Sequence, residues 1–335
     1  MARRARTTPP PRPTADEPAE TPAEAPAEPP SSVPAGTPPS DPEPSWHDWV
    51  QTNPNEEVIT RFKRDADALM LRHPGVASYC TVVLLDSEGM LGSLHADIIY
   101  GALLRQIPKR DRDVLLVLLS PGGSIEPAYQ IAKLCKTFAK NRFVVAVPRQ
   151  AKSAATLVSI GADEIHMGPL SQLGPVDPQL GGLPALGVQQ ALQTLAAIVQ
   201  KYPASGEMFA SYLREVLTVE QIGYCERIGE SAVQYSERLL SGKPFLAERA
   251  ASIARELVYE YKHHGFVIDY NEAQAHLGSE WVRTDTPEAA YANELYTLYD
   301  LVALFLNVLK QKRLMVVGEP NRAIILDRPK GRGTV

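Results

Sequence analysis

The sequence predicts an α/β protein in which βα units build a mainly parallel sheet, followed by a helical C-terminal extension. Three observations carry that expectation. Two wholly apolar runs, Val114–Leu119 and Phe143–Val147, each pass through a short turn into a helical pattern. Unbroken apolar runs of this length suit strands buried on both faces. Strand-like and helix-like segments alternate between residues 78 and 167, which implies parallel strands joined by crossover helices. Long helical patterns then fill most of the remaining chain.

Taken in order, residues 1–45 hold fourteen of the 29 prolines, mixed with Ala, Glu, Thr and Ser. Such a segment buries too little surface to offset its ordering entropy, so a disordered, partly polyproline II tail is expected. Order should begin near Trp46, with a polar helix from Asn55 to Leu71 turning Val58, Phe62 and Leu69 inward. Ser78–Leu85 reads as the first strand, and Leu91–Leu104 as a helix with Leu91, Leu94, Ile98 and Leu103 at helical spacing. After the turn Ser120-Pro121-Gly122-Gly123-Ser124 comes a helix striped by Ala128, Ile131, Ala132, Cys135, Phe138 and Ala139, with Ser124 as its cap. The next unit runs from Phe143–Val147 through Pro148–Ser153 into a helix ending near Ile160, then the strand Glu164–Met167.

The stretch Gly168–Gln179 carries too much Pro and Gly for regular structure. Helices are expected at Val188–Tyr202, Met208–Leu240, Leu246–Tyr261 and 287–310, with a strand-like Phe266–Ile268 and a short capped helix at Asp269–Ala273. Met315–Leu326 reads as a hairpin turning at Gly318–Asn321. The domain expectation is therefore a tail over 1–45, a core domain over 46–285 and an extension over 286–335.

With 335 residues and 44% apolar content, the chain can bury one sizeable core. A net charge of −5 exerts no pull toward nucleic acid or anionic membranes, and none is expected as a partner. Cys80, Cys135 and Cys225 show no metal-ligand spacing and read as buried thiols of a reducing compartment. Neither a metal nor another cofactor is expected. The Arg-containing N-terminus lacks the apolar stretch of a signal peptide. The most apolar run, Leu298–Leu309, is interrupted by Asp300 and Asn307 and is too short to span a bilayer. Together these features predict a cytoplasmic protein with no integral membrane segment.

The chemistry concentrates at the two strand–turn–helix junctions. Paired glycines after an apolar strand permit positive φ and close backbone approach, so their N–H groups can face an oxyanion. Ser153 stands at a helix N-terminus, where the dipole favours developing negative charge, and Ala154 and Ala155 after it allow tight packing. Ser153 is thus a candidate nucleophile, against the plainer reading that it only caps the helix. On consecutive parallel strands both turns fall at the carboxyl edge of the sheet, where ligands bind. There the N–H groups of Gly123 and Ala154 would converge on one carbonyl oxygen.

The blocks Ser-Pro-Gly-Gly-Ser, Ala-Lys-Ser-Ala-Ala-Thr and Gly-Ala-Asp-Glu-Ile resemble the ClpP/crotonase superfamily, and in particular its signal-peptide-peptidase-A-like branch. Gly-Pro-Leu-Ser-Gln-Leu-Gly-Pro-Val-Asp-Pro-Gln and His-Gly-Phe-Val-Ile-Asp-Tyr-Asn-Glu-Ala are similar to the family called serine dehydrogenase proteinases. The resemblance runs from about Val76 to Val282. It implies a ClpP/crotonase-like core and a serine peptidase, with Ser153 as nucleophile and Gly122, Gly123 and Ala154 forming the oxyanion hole. It also implies peptide or protein substrates and a homo-oligomer.

The general base departs from the superfamily pattern, since no His lies around Val176-Asp177-Pro178. His264 with Asp177 orienting it, Lys201 on the helix after that loop, or no working base all remain open; Lys152 adjoins the nucleophile but should leave on the other side of the turn. Lys201 would need burial to serve. His166 reads as a half-buried strand residue, and His263 as facing away from His264. Two further readings stand beside the peptidase: a non-catalytic scaffold of the same fold, and a crotonase-type enzyme acting on an acyl thioester.

Overall fold

The computed structural model describes residues 43–180 and 183–328. The tail expected over 1–45 therefore lies outside the described residues, apart from positions 43–45. Residues 44–180 and 183–328 belong to one compact unit.

The chain opens with α1 (Trp46–Thr52) and α2 (Asn55–Arg72), then β1 (Cys80–Leu85), α3 (Ser93–Gln106), β2 (Val114–Leu119), α4 (Ile125–Phe138) and β3 (Phe143–Val147). A two-residue strand β4 (Gln150–Ala151) leads into α5 (Ala154–Gly161), β5 (Glu164–Met167) and β6 (Gln172–Leu173). The short strands β7 (Gln179–Leu180) and β8 (Leu183–Pro184) precede α6 (Ala185–Lys201), α7 (Gly206–Val216), α8 (Val219–Ser241) and α9 (Ala250–Arg255). The chain continues through α10 (Tyr270–Leu277), β9 (Val282–Arg283), α11 (Pro287–Lys310), β10 (Lys312–Gly318) and β11 (Ala323–Asp327).

Among the described residues the central sheet has seven strands in the order β11-β10-β1-β2-β3-β5-β9. Neighbours from β1 to β9 run parallel, with Val82 opposite Leu116, Leu116 opposite Val145 and Val145 opposite Ile165. β10 and β11 are antiparallel and close the β1 side. The stretch after residue 286 therefore contributes two strands to the same sheet.

The central strands β2 and β3 are apolar along their whole length because helices cover both faces. Val82, Leu84, Leu116, Leu118 and Val145 point into one core with α3, α4, α5, α8 and α9. Val83, Leu85, Leu115, Val117 and Val144 point into the other, against α1, α2 and α11. Because β1, β2, β3 and β5 share one direction, their C-terminal ends align along one rim. The turns containing Gly122 and Ser153 leave from neighbouring positions on that rim.

Four details differ from the sequence reading. The helix expected over Met208–Leu240 is two helices, because Thr218 and Gln221 form a reciprocal capping box that starts α8 afresh. Leu91 is not helical but pairs with Gly123 ahead of α3, and Leu94 is exposed while Ile99 is buried. Phe266–Ile268 forms no strand; only Ile268 makes a bridge, to Leu173. Ser124 occupies the N-cap of α4 without a side-chain cap bond.

Candidate active site

The two junctions are hydrogen-bonded to one another. Ser120 N–H donates to the Gln150 carbonyl at 3.0 Å, and Lys152 N–H donates to the Ser120 carbonyl at 3.0 Å. The chain then turns at Gly122 (φ 108°) and Gly123 (φ 157°). A Cβ on Gly122 would stand 2.7 Å from the Ser153 Cβ, so only glycine allows the two turns to meet.

Gly123 lies beside Leu91 in a parallel bridge. Leu91 N–H donates to Gly122 O at 2.8 Å, and Ser124 N–H donates to Leu91 O at 2.9 Å. In that pattern Gly123's own N–H and C=O face away from Leu91. The Gly122 N–H, by contrast, donates to Ser120 Oγ at 3.1 Å. Of the three N–H groups expected to bind an oxyanion, Gly122's is already engaged.

Ser153 has φ 50° and ψ −118°, an unfavourable region for a residue with a side chain. Such strain costs on the order of 1–3 kcal/mol and persists only where the surroundings over-determine it. Its hydroxyl makes no cap bond, so the plainer capping role fails. The side chain is buried, with Oγ 3.5 Å from the Asp177 carbonyl oxygen. Ala154 begins α5, where the first N–H groups have no partner within the helix.

The loop after β5 is fastened to α5 by Thr156. Its fully buried Oγ1 lies 2.7 Å from Ala151 O and 2.8 Å from Gly174 O, and it accepts from Gly174 N–H at 3.1 Å. Val176 N–H donates to Leu257 O at 2.8 Å, which fixes the approach to Asp177. Asp177 is 5% exposed. Its Oδ2 lies 3.3 Å from His264 Nδ1, while Oδ1 is buried without a partner among the described residues. One residue, Asp177, thus touches both Ser153 and His264.

Lys201 is elsewhere in character. It is the exposed last residue of α6, with its ammonium 5.3 Å from the Tyr202 ring, so the burial a lysine base needs is absent. Lys152 donates to Leu173 O at 3.0 Å and to Phe266 O at 2.8 Å, and burial lowers its pKa. His166 is fully buried rather than half-buried, between Glu164 Oε2 at 3.1 Å and Thr286 Oγ1 at 2.7 Å. His263 accepts from Gly265 N–H at 3.0 Å. Sequence reasoning missed Thr156 and the Ser120 hydroxyl; both are small polar residues whose partners come from loops distant in sequence.

No group of three or more His, Cys, Asp or Glu among the described residues is arranged to hold a metal ion. A cleft on the same rim is lined by Pro148, Arg149, Leu170, Thr286 and Asn293, not by Ser153 or His264. No helix among the described residues is long and apolar enough to cross a membrane.

A family model described as ClpP-like SDH-type serine proteinase matches residues 50–208. The chain is 30% identical over 247 residues to the uncharacterized protein MJ0137 of Methanocaldococcus jannaschii, covering 74% of this chain and 73% of that one. A second uncharacterized protein of that organism, MJ1495, is 28% identical over 225 residues, covering 67% and 66%. Among solved structures, a mutant of the 1510-N membrane-bound stomatin-specific protease matches with 16% identity and a TM-score of 0.39, covering 75% of this chain and 94% of that one. The family match spans both junctions and the Asp177 loop, and the chain belongs to the ClpP-like SDH-type serine proteinases.

Proposed function

We propose that this chain hydrolyses peptide bonds, with Ser153 as nucleophile, His264 as general base and Asp177 orienting the imidazole. The observation that carries the reading is the strained Ser153, pressed against Gly122 and touching the residue that holds His264.

In the proposed cycle Ser153 Oγ attacks the scissile carbonyl carbon, and its proton passes to His264 Nε2. The Gly123 and Ala154 N–H groups stabilise the oxyanion, while Gly122 supplies space rather than a donor. Asp177 Oδ2 accepts from Nδ1–H and stabilises the imidazolium. Collapse expels the amine, which takes the proton from His264. Water, deprotonated by the same imidazole, then hydrolyses the acyl-enzyme. Oγ is turned to the Asp177 carbonyl, so the cycle requires it to rotate about χ1 toward the imidazole; hydrogen bonds of this kind commonly tighten only with substrate bound. Peptides or proteins are the proposed substrates.

A second copy is the proposed partner. Met208, Tyr212 and Val216 repeat every four residues along α7 and are each more than half exposed, and α7 buries none of its residues.

Labelling by a fluorophosphonate probe, together with hydrolysis of an unstructured protein substrate, tests the reading. Ser153→Ala should abolish labelling, and His264→Ala should slow hydrolysis by about 10²–10⁴. Loss with Lys201→Ala and not with His264→Ala would transfer the base to Lys201. A folded wild-type protein that takes no label would favour a scaffold.

A further inference from the structure

We propose that Lys152 is a positioning residue, whose ammonium fastens the His264 segment to the Asp177 loop beside the nucleophile. This rests on reading His264 as the base.

The two segments meet at few points. Leu173 and Ile268 exchange backbone hydrogen bonds of 2.9 and 3.1 Å in an isolated bridge. Between Ile268 and His264, Phe266 and Val267 are exposed, so core packing does little to hold the segment. The Phe266 ring does meet Tyr261, at 4.8 Å between centroids. Lys152 Nζ adds a second tie by donating to Leu173 O on one side and Phe266 O on the other. Phe266 is two residues from His264, and Leu173 is four from Asp177. A bond to each carbonyl therefore constrains both members of the pair.

The lysine stem is itself confined. It crosses Gly174 so closely that a Cβ there would lie 2.6 Å from Lys152 Cδ. Because Lys152 immediately precedes Ser153, the clamp references the Asp177–His264 pair to the nucleophile's own backbone. The ammonium is spent on two carbonyls, and no contact with Ser153 Oγ is needed. Three blocks distant in sequence, Ala-Lys-Ser, Leu-Gly-Pro-Val-Asp and His-Gly-Phe-Val-Ile, thereby become one physical unit. Methionine preserves the stem over Gly174 and removes the donors; arginine keeps donors for both carbonyls.

The full chain carrying Lys152→Met, Lys152→Arg, His264→Ala or Lys152→Met with His264→Ala should be compared with wild type. Amide hydrogen exchange and fluorophosphonate labelling between pH 5 and 9 are the two readouts. Lys152→Met should speed exchange about tenfold at residues 173–177 and at 264–268 together, and Lys152→Arg much less. It should also slow labelling about tenfold and change the pH profile, while the double variant labels no more slowly than His264→Ala alone. Unchanged exchange at either segment, or losses that multiply in the double variant, would overturn the proposal. If wild type takes no label, the peptidase reading falls with the catalytic part of this one, and exchange alone then upholds or rejects the clamp.

Discussion

At the residue scale, the site depends on an absent methyl group as much as on a hydroxyl. Gly122 combines a left-handed φ with a position directly against the Lys152 carbonyl and the Ser153 side chain. Gly122→Ala should therefore cost about 1–3 kcal/mol of stability from strain and overlap. It should also suppress probe labelling by more than that loss explains, since Ser153 itself is displaced. Labelling at a temperature where circular dichroism shows the variant fully folded separates the two effects. Unimpaired labelling there would mean that the two turns need not touch.

At the scale of elements, α5 is tied at both ends. Its N-terminus carries Ser153, and its C-terminal carbonyls receive Lys243, whose ammonium donates to Ile160 O at 2.5 Å and to Ala162 O. The same ammonium lies 3.6 Å from the Trp281 ring centroid, and burial pushes its pKa well down. A lysine N–H donor at a helix C-terminus satisfies the last carbonyls, which have no partner within the helix. Lys243→Met removes the ammonium from both carbonyls, leaving Ala162 O only the Trp281 Nε1–H donor at 2.9 Å, and should lower the unfolding free energy by about 1–3 kcal/mol, measured by urea denaturation. No change would show that the buried amine is dispensable to α5.

A second tie joins β5 to the start of α11. Glu288 lies 3.3 Å from His166 Nδ1 and accepts from the Tyr79 hydroxyl at 2.8 Å. Burial alone would raise its pKa, but hydrogen bonds from His166, its own backbone N–H and Tyr79 outweigh that and bring it down to about 2. A depressed carboxyl stabilises the fold above its unfolded value near 4.5, and that contribution fades as pH falls toward about 2. Wild type should therefore lose stability across this window, and Glu288→Gln should show a flatter dependence in urea titrations at pH 5, 4 and 3. Parallel curves would show that Glu288 contributes nothing to acid sensitivity.

At the scale of the molecule, one sheet organises everything. Its parallel strands bring the catalytic candidates to one rim, and β10 covers the β1 edge that would otherwise be open to another strand. The exposed apolar residues of α7 are the other whole-molecule feature. Tyr212→Glu should lower the oligomer mass seen by sedimentation while leaving the melting temperature of the protomer nearly unchanged, because the side chain touches little within its own chain. An unaltered mass would place the contact between copies elsewhere.

Much of this was legible in residue order alone. Val114–Leu119 and Phe143–Val147 announced strands buried on both faces because no polar residue interrupts them. The turns after them announced a rim because parallel strands must end together. Thr218 shows the limit, since two apolar stripes either side of a capping box read as one long helix until the chain's path is known. The proposed base is the deeper case. His264 stands 87 positions from Asp177 and 111 from Ser153, and no local pattern relates them. Spacing determines which residues share a face of a helix or strand, since that geometry is short-ranged. Which loops meet above the rim depends on closing long segments against a packed core, and only the tertiary structure decided that Asp177 touches both Ser153 and His264, that Lys152 reaches Leu173 O and Phe266 O, and that Lys201 is exposed.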